Sequence, residues 1–76
     1  MSVRELEHLA SSEANKAVSM DKKGLHLQAC VHYLKACQYL AQALAQAPRG
    51  WQLYGLCLQR LHAYLCRTHK IVLIEG

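Results

Sequence analysis

From Val3 onward, apolar side chains return every three or four residues: Val3, Leu6, Ala10, Ala14 and Ala17, with Leu9 and Val18 beside them. Gaps of three and four collect these positions into one stripe along an α-helix. Ser2-Val3-Arg4-Glu5 opens the segment with the S-x-x-E form of a capping box, in which the Ser hydroxyl takes an orphan N–H and the Glu reaches back. The pattern predicts a first helix over 3–20, closed at Asp21-Lys22-Lys23-Gly24 by a glycine free to adopt the left-handed conformation. Over 25–45 the repeat resumes with Ala29, Tyr33, Ala36, Cys37, Leu40 and Leu44, rich in the alanine that favours helix and lets backbones approach. Pro48-Arg49-Gly50 interrupts it, since Pro lacks an amide donor and Gly is permissive. A third helix is expected over 51–73, with Tyr54, Cys57, Leu58, Leu61, Leu65, Thr68 and Val72 turned inward. Gly55 falls inside that helix, where it costs about 1 kcal/mol relative to Ala, and close packing is the reason expected for it. No strand-like alternation competes. Short connections between three consecutive helices predict an all-α fold, an antiparallel up-down-up three-helix bundle occupying 1–76 as one domain.

Composition refines the picture. A chain of 76 residues buries only about 60% of its extended surface, so one efficient core must carry its stability. With 53% hydrophobic residues but no Phe, that core is built from Leu and Ala with Tyr as filler. No run of about 18 apolar residues is present, so no transmembrane span is expected. Met1 to Glu7 is charged and no apolar stretch follows, so no secretory signal is expected either. The apolar, β-branched run Ile71-Val72-Leu73-Ile74 reads as a frayed end or as a contact continuing into a longer protein.

Cys30, Cys37, Cys57 and Cys66 all fall at helical positions where a small hydrophobe would fit, which points to free thiols and a reducing, cytoplasmic compartment. Two of them raise a metal alternative. His26 and Cys30 are four apart, Cys66 and His69 three apart, and an antiparallel arrangement brings the start of the second helix near the end of the third, a route to a Cys2His2 tetrahedron. The absence of any C-x-x-C pair weighs against it, and neither metal nor cofactor is expected. Gly24, Gly50, Gly55 and Gly76 are too scattered for a phosphate-cradling loop, and no nucleophile elbow or carboxylate pair is evident. The chain is therefore expected not to be an enzyme, though a larger parent protein could be one. The net charge of +4, with Arg60, Arg67 and Lys70 on the third helix, keeps a nucleic-acid-binding three-helix module as an alternative. It is disfavoured because the second connection suits antiparallel packing rather than a helix-turn-helix crossing. A tetratricopeptide-like scaffold would need a repeat of about 34 residues, and no second copy is present.

The stretch Ala17–Leu44 resembles the MIT (microtubule interacting and trafficking) domain family. Its first two helices read roughly A-[VI]-x-x-D-x-x-G-x-[YH]-x-x-A-x-x-x-Y-x-x-[AG]-x-x-x-[LF], here Ala17, Val18, Asp21, Gly24, His26, Ala29, Tyr33, Ala36 and Leu40. In the third helix, Leu61 to Ile71 looks like the family's C-x-x-Y-L-x-R-A-E-x-L. The Asp and Gly are read as closing the turn between helices, the Ala residues as permitting close packing, and the Tyr as filling the space between helices.

The resemblance implies a monomeric, non-enzymatic adaptor that binds the C-terminal tails of ESCRT-III proteins, held at endosomal membranes through those partners. In the family such tails lie as amphipathic helices between the second and third helices, or extended between the first and third; which groove serves here stays open. Carried onto this chain, the contact residues are Leu65 with Leu61 and Tyr64, flanked by Arg67, and on the second helix Val31, Leu34 and Ala41. Where the family offers carboxylates on the third helix, this chain has Cys66 and His69 among Arg60, Arg67 and Lys70. A basic surface of that kind suits an acidic or mostly apolar segment, in the groove between the first and third helices, better than a basic helical tail, because like charges at a rim lower affinity and on-rate.

Overall fold

A computed structural model describes residues 1–75 as three α-helices, α1 (Val3–Lys22), α2 (His26–Gln46) and α3 (Tyr54–Glu75). They form an antiparallel up-down-up bundle. At the start of α1, Ser2 Oγ accepts from the Glu5 amide at 3.1 Å and the Glu5 carboxylate accepts from the Ser2 amide at 3.4 Å, completing the capping box.

α1 runs two residues past the expected boundary. Its end is set by backbone geometry: Gly24 sits at φ +81°, the Leu25 amide donates to the Met20 carbonyl and the Gly24 amide to that of Asp21. These are the two bonds of a Schellman cap, which satisfies carbonyls that Met20 and Asp21 would otherwise leave free. α3 begins at Tyr54, three residues later than the apolar pattern implied. Gly50 at φ +79° and tight turns from Trp51 N to Pro48 O and from Tyr54 N to Trp51 O occupy the intervening segment.

α1 and α2 pack most closely, through a seam of Ala10, Ala14, Ala17, Ala29, Ala36 and Ala43, all buried. α3 lies on α2, and none of its Cα atoms comes within 8 Å of one in α1. Two apolar clusters make the core. Ala17, Ala29, Cys30, Tyr33 and Ile71 form one, and Ala10, Leu40 and Cys57 the other, with Tyr64 packed against both.

On α2 the expected Ala29, Tyr33, Ala36, Cys37 and Leu40 are buried, joined by Cys30 and Ala43, with Leu44 half-buried. On α3 the buried set departs from the expected one. Cys57 and Ile71 are buried, and Arg60, Leu61, Tyr64, Arg67 and Thr68 half-buried, whereas Tyr54, Leu58, Leu65 and Val72 are exposed. At about 100° per residue, α3 is turned by roughly 70° from the orientation that its leucines alone would choose. The cause is polar: long amphipathic side chains lay their stems along the core and find partners on α1. Gly55 lies in the first turn of α3, and a Cβ built on it would meet nothing within 4 Å, so close packing does not account for it.

Candidate functional site

The polar anchors that turn α3 come first. Asp21 in the last turn of α1 receives Arg67 Nε at Oδ2 and Arg67 Nη2 at Oδ1, both at 2.6 Å. Tyr33 Oη donates to the same carboxylate at 3.2 Å, and His26 Nδ1 lies 3.0 Å from it. The guanidinium, then the His26 contact, hold the Asp21 carboxyl down at about 2 despite partial desolvation. This cluster ties together the ends of α1, α2 and α3. A second fork comes from Arg60, whose Nη2 donates to Ser11 Oγ at 2.9 Å while its guanidinium lies 6.0 Å from the Tyr64 ring centroid. Across the α1–α2 seam, His32 Nδ1 and Glu13 Oε2 are 2.6 Å apart, and that contact lowers the Glu13 carboxyl.

These contacts fix which way each helix faces. On α3, Arg60 and Arg67 mark the side toward α1. On α2, His32 marks the side toward α1, while the Cys37 thiol, 4.0 Å from the Leu61 carbonyl, marks the side toward α3. Counting about 100° per residue from these markers, Leu27, Leu34 and Ala41 lie on the flank of α2 beside α3 and away from α1, while Val31 and Gln38 face outward between the two markers. Leu58, Leu61, His62, Leu65 and Val72 lie on the matching flank of α3. The two flanks border the outer groove between α2 and α3.

That groove is apolar and open. A shallow depression of about 440 Å³ is lined by Leu58, Gln59, Leu61, His62 and Leu65, with Leu58 50% and Leu65 46% exposed. Val31 and Leu34 are exposed on the α2 side. The positions named on both flanks include no Asp, Glu, Lys or Arg. A second depression, about 420 Å³, lies against the first turns of α1 and is lined by Ser2, Arg4, Glu5, His8 and Leu9, mostly polar groups already engaged in or near the helix cap.

Of the residues singled out from sequence, Leu61 and Leu65 line the first depression, on α3; Leu34 and Ala41 lie on the neighbouring flank of α2, and Val31 faces outward. Tyr64 does not line it: its ring packs 5.8 Å from that of Tyr33 inside the bundle. Arg67 is committed to Asp21 on the opposite flank. Leu58 and His62 line the same depression and were missed, Leu58 because its spacing assigned it to the interior.

The cysteine and histidine residues are not gathered. Among the described residues, no three His, Cys, Asp or Glu side chains are placed to share a metal ion. His26 pairs with Asp21, Cys30 is buried in the first cluster, and Cys66 lies 3.5 Å from His62 on its own helix. All four cysteines are free thiols; burial raises Cys30, Cys37 and Cys57 above their ordinary value.

Comparison with known proteins finds no family model, curated protein or solved structure that matches the chain.

Proposed function

We propose that this chain is an MIT-type adaptor domain that binds short amphipathic helices of partner proteins, ESCRT-III-type tails among them, in the groove between α2 and α3. The observation that carries this reading is the apolar depression lined by Leu58, Leu61 and Leu65 on α3, with Leu34 and Ala41 exposed on the neighbouring flank of α2. Apolar helix faces are received by grooves of this form, with anchors spaced three and four residues apart. Further support comes from Asp21, Tyr33 and Arg67, which carry the family resemblance from three different helices and meet in one hydrogen-bonded cluster.

The facing of α3 bears on what the peptide should look like. Arg60 and Arg67 point toward α1, so the positive charge that would repel a basic tail stands on the other side of the helix. The α1–α3 side is crossed by the Arg60–Ser11 and Arg67–Asp21 bonds, which an extended peptide would have to displace. A helical, mainly apolar segment on the α2–α3 side therefore fits best. No helix among the described residues is long and apolar enough to cross a membrane, so the exposed leucines are not a spanning segment.

The test is a fluorescence-anisotropy titration of labelled ESCRT-III tails against the chain and its Leu65→Asp variant. A charge placed on the groove floor should weaken binding by at least about tenfold, since burying it unpaired is disfavoured. Equal affinity for both proteins, or no binding by any tail, would overturn the proposal.

A further inference from the structure

One end of the bundle combines exposed apolar side chains with lysines. Ile71 packs among Ala17, Ala29 and Cys30, which sets the last turn of α3 level with the connection between α1 and α2. Beyond Ile71, Leu73 is 68% and Ile74 71% exposed, and Leu25 and Leu27 stand exposed at the start of α2. Lys22, Lys23 and Lys70 are exposed at the same end. Arg67 and Asp21 pair with each other there, and Glu75 is the other carboxylate at the end of α3.

We infer that this end docks on a lipid bilayer whose surface carries anionic headgroups, a function independent of the peptide groove. Large aliphatic side chains held outside a core by short helix ends suit shallow insertion at the headgroup boundary. Flanking lysines with long apolar stems suit contact with lipid phosphates. The opposite end also exposes large apolar side chains, Met1, Leu53 and Leu56, but its Arg4 and Arg49 stand with the carboxylates of Glu5 and Glu7. A folded protein partner would need its own cavity for the Leu73–Ile74 projection, whereas a bilayer accepts any convex apolar tip. The lysines supply the complementarity that selects an anionic surface.

Co-sedimentation with phosphatidylcholine vesicles, with and without phosphatidylserine, tests the inference on the full chain. Binding should require phosphatidylserine and weaken with salt, as expected for screened surface charges. Each lysine near such a surface contributes about fivefold, so Lys22→Glu with Lys23→Glu should lower the partition coefficient at least tenfold. The control is Arg4→Glu with Arg49→Glu, the same change of net charge at the far end, expected to alter it less than about threefold. Leu73→Asp with Ile74→Asp should also lower it at least about tenfold, removing two inserting side chains. If that variant loses helicity by circular dichroism, Leu25→Asp reads the same contact from the start of α2. Absence of binding to phosphatidylserine vesicles would overturn the inference. So would an equal loss in both charge-reversal variants, or undiminished binding by a folded variant carrying the aspartates.

Discussion

Asp21 does more than its place beside a turn indicates. Its carboxylate is the acceptor for Arg67, Tyr33 and His26, and it sits at only 12% side-chain exposure. Asp21→Asn removes the charge that the guanidinium faces and should lower unfolding free energy by about 2 kcal/mol, measured by urea denaturation at neutral pH. The pH dependence has a definite sign. Because the folded-state value is about 2 against an ordinary 3.8, the folded chain favours the ionised form. The stabilisation is whole above about pH 4 and fades as pH falls toward about 2; the Asn variant should lose less stability across that window. The two glycines pull in opposite directions. Gly24 at φ +81° needs a conformation that L-residues resist, so Gly24→Ala should cost about 1 kcal/mol. Gly55 is helical with open space around it, so Gly55→Ala should add about 0.5 kcal/mol. Parallel thermal melts of the two variants would show shifts of opposite sign. The role of Gly24 was legible in the sequence, because a left-handed cap is a local event. That of Asp21 was not, because its main partner lies 46 residues away.

The helices separate what pattern reveals from what it conceals. α1 and α2 bury the stripes that their spacing announces, since alanine offers the interior little competition over which face turns inward. α3 carries leucines on one flank and Arg60, Tyr64 and Arg67 on another, and hydropathy favours the leucines. The amphipathic side chains win because each combines a buried stem or ring with a polar partner on a neighbouring helix, Ser11, Tyr33 or Asp21. The displaced leucines make the groove, so the misread face of α3 is also its candidate functional face. This predicts a contrast in stability. Leu40→Ala empties a fully buried position and should cost about 2–5 kcal/mol. Leu58→Ala, half exposed, should stay within about 1 kcal/mol of the parent. Chemical denaturation of Leu58→Ala, with Leu40→Ala on α2 as the buried reference, would reveal whether the leucine flank of α3 is outside.

At the scale of the whole molecule, polar contacts close the α1–α3 side while the α2–α3 side stays apolar and open. The fold class was readable from periodicity and connection length, and of the seven proposed peptide contacts Leu61 and Leu65 line one depression on α3. Tyr64 and Arg67 were misplaced for a common reason: both follow the rotation of α3, which only long-range partners reveal. The central claim is that the open side is a peptide groove. Chemical-shift mapping on the isotopically labelled chain, titrated with an amphipathic helical ESCRT-III tail, tests it most directly. Shifts are predicted to concentrate at Leu34, Ala41, Leu58, Leu61 and Leu65, and to vanish in a folded Leu65→Asp variant. Shifts confined to Arg60, Arg67 and the facing residues of α1, or no shifts at saturating peptide, would contradict it.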